Sequence, residues 1–366
     1  MRLAKFVRIY LVPGAVFQSI LVGGGYGTGR EVVEYFTRFG PTGGLLSAGL
    51  ACALFALVLV LTFEISRRFS AYDYRAFFKL LLGRFWFLYE IAGALLMLLV
   101  FAVLIAASGS VLESQFELPT WVGMSLVFLL VGALEFFGRE AVMRVLTFWS
   151  VVLYAVFGAF LFLAFQAISD QISGAFQSGG IEQGWAESGF KYAMYNVTGA
   201  PIILFVAREF ESSRQTLVAG VVAALIGVAP AVMFHLAFSG ADPAILNEEI
   251  PVYWMMNNYG MGILGIAFTI MLFGTLIETG AGVLQGVNER IDSFLTEKDK
   301  PALTKWGHTG VATGFMGLAL IVASVGIINL IAKGYGTLAW SFCFLYFIPL
   351  LTIGVWRLTK APAGEG

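Results

Sequence analysis

Charge, cysteine and histidine are all scarce in this chain. Only 12% of its 366 residues are charged, and it has two cysteines and two histidines. So small a charged fraction lies far outside the range of a soluble globular domain and excludes that class. Cys52 and Cys343 both lie in apolar runs, which excludes a disulfide framework. There is no HExxH, no paired cysteine ligands, no G-x-S-x-G elbow and no nucleotide-binding fingerprint. The chain is therefore expected not to be an enzyme, not to be a primary pump and to need no cofactor beyond a coupling ion. Long polar loops are also missing, the longest running to about twenty residues. Whatever the protein does, it does within a bilayer, with the lipid and a small molecule as its expected partners, and with neither nucleic acid nor an obligate protein partner indicated.

What is abundant is hydrophobicity. Mean hydropathy is +0.85, and 59% of the residues are hydrophobic. Ten apolar runs lie at roughly 6–22, 42–63, 87–110, 120–134, 143–166, 190–206, 216–239, 259–287, 308–332 and 335–356. Most approach the ~20 residues that a helix needs to cross the hydrocarbon core. They are unbroken rather than alternating, which excludes a transmembrane β-barrel. The expected fold is an all-α integral membrane protein with ten transmembrane helices. The start, "MRLAKFVRIYLVPGAVFQSILV", has a basic lead but no small-x-small cleavage site after it, so it is read as a retained first helix.

Cytoplasmic loops retain Lys and Arg, which fixes an expected orientation. With the N-terminus inside, eighteen of the 22 basic residues fall on one side, among them Arg2, Arg67, Arg139, Arg144, Arg208, Arg290 and Lys360. Arg30, Arg38, Lys191 and Lys333 are the remainder. Both termini are expected in the cytoplasm. Residues 1–165 form a first five-helix half, 166–189 an extracytoplasmic loop, and 190–366 a second half with a short cytoplasmic tail. Five is odd, so a duplicated half must sit inverted relative to the other, as in many secondary transporters.

The first span of each half carries a matching defect. Span 1 is interrupted by "GGGYGTG", and span 6 by "NVTGAP" at Asn196 to Pro201. Glycine loses most entropy in a helix and proline removes a hydrogen bond, so both sites are expected to unwind. Paired breaks are the best sequence pointer to a transporter's binding site, because bare backbone at membrane depth is tolerated only around a cavity or ligand. Gly24, Gly25, Tyr26, Gly27, Thr28 and Glu31, with Tyr195, Asn196, Thr198 and Gly199 facing them, are the expected substrate-binding set. The half-helix restarting near Thr28 can offer amides to an anionic group. Glu31 can bind a cationic group, gate the outer path or cap the half-helix. Arg30 and Glu34, four apart, can pair along one face. "GGYGTGRE" comes near a phosphate-binding loop, but Arg30 and Glu31 replace the required Lys and Ser/Thr.

In span 8, Thr275, Glu278, Thr279 and Gly282 share one helical face, and such oxygen-only groups suit Na⁺ or a proton carrier. With Gly23 they form the expected ion-coupling set, and no other metal site is indicated. His235 in span 7 is more often hydrogen-bonded to a neighbour than functional, while Glu64 and Glu90 sit at span ends. "RRFSAYDYRAFFKLLLGRF" suits an amphipathic interfacial helix, and "GADPAILNEEIPVYWMMNNYG" suits a lid or a plain connector.

At "GGGYGTGREVVEYF", followed by "FGPTGG", the sequence resembles the YkvI-like membrane proteins, a bacterial branch of the amino acid/polyamine/organocation (APC) transporter superfamily. Gly23, Gly24, Gly25, Gly29, Tyr26 and Glu31 carry the resemblance. It implies the LeuT-type fold, two inverted five-helix repeats with helices 1 and 6 broken around a central site. Gly23 to Gly27 would supply backbone to substrate and ion, with Asn196, Thr198 and Gly199 opposite. In sodium-coupled members an adjacent hydroxyl pair on the eighth helix joins the ion site; here Thr275 and Thr279 are four apart with Glu278 between, which keeps H⁺ coupling open beside Na⁺. The implied function is secondary active transport of a small zwitterionic or cationic organic solute, an amino acid or amine, at the bacterial inner membrane. The alternative is a channel or ligand-sensing protein that uses the same pocket without coupled transport.

Overall fold

Proline at the first helical position and a left-handed residue at the end delimit the first uninterrupted helix, which begins at Pro41 and closes on Ser70 with φ of 52°. The computed structural model describes residues 5–360 except 138, with side chains left out at 24, 135–151 and 263. Arg2 and the tail beyond Lys360 lie outside the described residues, as do the side chains of Arg139 and Arg144. The helices are α1 Val7–Leu21, α2 Arg30–Tyr35, α3 Pro41–Phe69, α4 Tyr74–Leu82, α5 Trp86–Phe116, α6 Thr120–Phe137 and α7 Arg139–Ala167. There follow α8 Ser169–Ser178, α9 Trp185–Asn196, α10 Ser213–Ser239, α11 Pro251–Asn258, α12 Gly265–Glu297, α13 Lys305–Ala323 and α14 Ile327–Lys360. Among the described residues there is no strand.

Among the described residues, six helical stretches are long and apolar enough to cross a membrane: α3, α4 with α5, α10, α12, α13 and α14. A seventh appears if Val152–Ala167 and α8, bent by 73°, count as one span. Their outward faces carry large apolar side chains, such as Ile266 (73% exposed), Leu225 (58%) and Ile321 (71%). So much exposed hydrophobic surface is stable only against lipid. The protein is a multi-pass membrane protein.

The helices pack as two groups. One holds α1, α3, α9 and α10; the other holds α5, α6, α7, α12 and α13. Within the first, Gly220 of α10 lies so close to α3 that a Cβ there would stand 2.6 Å from Val60 Cγ2 and 2.8 Å from Val60 N. The Gly220→Ala variant should therefore force these helices apart and cost about 1–3 kcal/mol, read as a lowered Tm of the purified protein. An unchanged Tm would show that the helices separate freely.

Two boundaries differ from the sequence reading. The chain divides α13 from α14 at Gly326, whose φ is +87°, and not near Lys333, which stays inside α14. Only glycine takes that backbone angle readily, and the hydropathy pattern cannot register it. Second, residues 196–201 do not unwind. The α-helix ends at Asn196, but the chain continues as a 3-10 helix over Val197–Glu209, with Pro201 inside it. Proline lacks the amide and clashes with the carbonyl four residues back, so the helix changes its winding there instead of opening. The 166–189 segment is also more ordered than a loop, since it contains α8.

The helix expected in this basic, Phe-rich stretch forms as α4: Asp73 caps it by accepting from Ala76 N at 2.9 Å, and Phe77, Phe78 and Leu81 are buried.

Candidate functional site

The glycine stretch does break the first span. Val22 leaves helical geometry with ψ of 76°, a single turn spans Gly24–Gly27, and Gly29 sits at φ of +83° before α2 begins at Arg30. The turn packs against α5 and α12, so the break lies between the two helix groups. Thr28 is spent locally: its hydroxyl donates to the Gly25 carbonyl at 2.8 Å and accepts from Arg30 N at 3.2 Å.

Beyond the break, neighbouring side chains of α2 point to different tasks. Arg30, 1% exposed, donates through Nη1 to the carbonyls of Leu246 (2.8 Å) and Glu248 (3.0 Å), and through Nη2 to Glu34 at 2.7 Å. Arg38 also pairs with Glu34. The segment 240–259, the lid or connector of the sequence reading and called the lid segment below, is thereby tied to α2. Val252 N donates to Thr28 O, Ser110 meets Glu249, and Tyr253 bonds Thr269 at 2.5 Å, so the segment is held to the break and to α5 and α12 of the second helix group.

Glu31 is buried and turns the other way. Its Oε2 accepts from the Tyr195 hydroxyl at 2.5 Å, and its Oε1 lies where a Cβ on Gly25 would come within 2.5 Å. Tyr195 stacks on Tyr335 with centroids 4.7 Å apart, and Tyr35 and Tyr192 complete the cluster at 5.5 and 5.7 Å from it. Tyr35 donates to the Ile331 carbonyl. The hydroxyls of Tyr26 and Tyr192 are buried without a hydrogen-bond partner.

A second feature lies beside the end of α1. A cleft of about 40 Å³ is lined by Ser19 and Val22 of α1 and its end, Leu153 and Tyr154 of α7, and Thr275, Glu278 and Thr279 of α12. Tyr154 donates to Gln18 Oε1 at 3.2 Å across its mouth. Glu278 has no hydrogen bond or ion pair to a described residue. Beside Val22, Gly23 faces open space.

The structure thus brings Gly25, Tyr26, Glu31 and Tyr195 together, and separately Thr275, Glu278 and Thr279 near Gly23. It places the rest of the sixth-span set differently. Asn196 donates to the Tyr192 carbonyl and Thr198 to the Tyr195 carbonyl, both on their own helix. Gly199 packs on Phe17 and Ile20 of α1. Gly27 lies against Leu272. His235 is buried, with Nε2 on the Pro41 carbonyl at 2.8 Å and Nδ1 beside the Thr37 hydroxyl at 3.2 Å, which pins the α2–α3 junction to α10. Glu64 is held at the cytoplasm-assigned end of α3 by Arg67, Arg68, Ser213 and Thr216.

Sequence reasoning missed Tyr35, Tyr192, Tyr335, Tyr154 and Ser19. Two of these left a trace: Tyr35 follows Glu31 by four, and Tyr192 precedes Tyr195 by three, so each shares a helical face with a residue already chosen. Tyr335 gave none, lying in another half of the chain.

With this geometry in view, a match to Bacillus subtilis is informative. The uncharacterized membrane protein YkvI of that organism is 24% identical over 328 residues, covering 85% of this chain and 89% of YkvI. The resemblance to YkvI holds. No family model matches the chain. Among solved structures, a histidine-to-alanine mutant of the Eremococcus coleocola manganese transporter superposes with a TM-score of 0.62 at 12% identity, over 95% of this chain and 79% of that one. The same transporter in complex with an aromatic bis-isothiourea substituted compound gives 0.60 at 13% identity. The chain therefore has the fold of a membrane transporter. Among the described residues, no group of three or more His, Cys, Asp or Glu is arranged to hold a metal ion.

Proposed function

We propose that this protein is a secondary active transporter of a small zwitterionic or cationic organic solute, coupled to H⁺ or Na⁺ and working by alternating access. The observation that carries the reading is the broken first span: an unwound, glycine-lined stretch between two helix groups, with a buried carboxylate one turn beyond it. Such a break is tolerated only where a ligand or cavity takes up the freed backbone. Two further features support it. The 240–259 segment is tied to α2 through Arg30 and to the second helix group through Ser110 and Thr269, and a separate cleft beside Glu278 lies between the end of α1, α7 and α12.

In this reading the ten apolar runs are ten spans in two inverted repeats with both termini cytoplasmic, in a bacterial inner membrane. Glu31 and the turn Gly24–Gly27 meet the solute, and Glu278 with Thr275, Thr279 and the backbone at Gly23 meets the coupling ion. A carboxylate is well suited to carry H⁺ and can also ligate Na⁺, so the choice falls to experiment.

Purified protein in proteoliposomes should accumulate solute against its gradient, saturate, and stop when the ion gradient collapses. Glu278→Ala should lower coupled uptake about tenfold or more while leaving solute binding in place. Coupled uptake unchanged in that variant removes Glu278 from the mechanism; downhill flux without accumulation replaces the transporter with a channel.

A further inference from the structure

The surroundings of Glu31 narrow the solute, an inference that rests on the transporter reading above. Three groups lie about this point on different elements: the carboxyl of Glu31, which accepts from Tyr195 at 2.5 Å; Tyr192, whose ring lies 5.7 Å from that of Tyr195; and Tyr26, next in sequence to Gly25, whose Cβ position is 2.5 Å from Glu31 Oε1. Both tyrosines are 0% exposed, and both hydroxyls lack any hydrogen-bond partner. Buried hydroxyls are rarely left unpaired, because each then forfeits the hydrogen bond it had in water. The rings of Tyr35, Tyr195 and Tyr335 close the remaining sides, and aromatic faces attract cations.

Among the described residues, no cationic side chain pairs with Glu31, whose hydrogen-bond partner is Tyr195. Arg30 is next in sequence, but its Nη1 and Nη2 are committed to the lid carbonyls and to Glu34. At the start of α2 the leading amides are already engaged, Gly29 N by the Tyr26 carbonyl and Arg30 N by the Thr28 hydroxyl. A ligand carboxylate would therefore lie beside Glu31 with nothing to offset the repulsion. A quaternary ammonium would bring no N–H and leave both hydroxyls unpaired.

We propose that the pocket takes a primary ammonium group on a solute that bears no carboxylate next to it, with the three N–H donors shared among Glu31, Tyr26 and Tyr192. The site accordingly selects amines over amino acids and over fully methylated cations.

Calorimetric titration of the full-length protein in lipid nanodiscs with pentylamine, pentyltrimethylammonium and norleucine tests this. Pentylamine should bind about tenfold or more tightly than either of the others. Tyr26→Phe and Tyr192→Phe, which remove only a hydroxyl, should each weaken pentylamine about fivefold or more and leave pentyltrimethylammonium unchanged. Glu31→Gln should weaken both cations. Equal or tighter binding of norleucine or of the trimethyl compound overturns the inference, as does failure of pentylamine to bind or indifference of both tyrosine variants. The transporter reading falls separately, only if proteoliposomes accumulate no solute from a broad panel against its gradient.

Discussion

Gly25→Ala is expected to abolish solute binding and coupled uptake while the protein still reaches the membrane. The added methyl would stand 2.5 Å from Glu31 Oε1 and 3.2 Å from Ile331 Cδ1, inside normal contact distance for both. Glu31 is the group able to give way, and moving it breaks the 2.5 Å bond to Tyr195 and draws the carboxylate from the Tyr26 and Tyr192 hydroxyls. Overpacking of this kind costs about 1–3 kcal/mol, so the Tm should also fall. The double variant Gly25→Ala with Glu31→Ala separates the two effects, since shortening the carboxylate relieves the clash. Its Tm should recover relative to Gly25→Ala alone, and binding should stay absent. Normal uptake by Gly25→Ala would show that Glu31 is not confined as described and would remove it from the solute site.

Arg30→Ala should be the most destabilising single change near the site. It deletes a buried guanidinium that satisfies two lid carbonyls and one oxygen of Glu34. Breaking a buried ion pair leaves the partner's charge and the carbonyls exposed to a medium that cannot solvate them, at a cost of about 3–5 kcal/mol. Arg38 still faces Glu34, which places the loss toward the lower end of that range. Arg30→Lys should rescue little, because one ammonium cannot replace a fork that reaches both the lid and Glu34. The checks are the Tm and hydrogen exchange over residues 240–258, which should quicken in Arg30→Ala more than exchange in α3. Unchanged lid exchange would mean that the Ser110 and Tyr253 contacts hold the lid without Arg30.

Much of the candidate site was legible because its causes are local. Four glycines in seven residues destabilise a helix wherever they fall, and the break sits at 22–29. The pairing of Arg30 with Glu34 follows from their four-residue spacing. The amphipathic spacing around Phe77 and Phe78 gave α4. Other features depend on which of two locally acceptable outcomes the surroundings select. Pro201 ends an α-helix in either case, but whether the chain opens or tightens into a 3-10 helix is decided by packing against α1 and α3. Asn196 and Thr198 can bond a ligand or their own backbone equally well, and here they bond backbone. His235 could titrate or be held, and its two nitrogens meet Pro41 and Thr37.

By itself the sequence determined that this is an all-helical chain of a membrane, where its first span must break, and that carboxylates stand at residues 31 and 278 among apolar neighbours. These follow from transfer free energies and backbone entropy, which each residue carries with it wherever it sits. Only the tertiary structure decided that Glu31 meets Tyr195 from 164 residues away, that Tyr35 reaches Ile331 across 296, and that Arg30 bonds Leu246 in the 240–259 segment while its neighbour Glu31 turns to Tyr195. Such meetings depend on how the helices cross, and crossing geometry is fixed by the packing of side chains from both halves at once, which leaves no periodic signal in either.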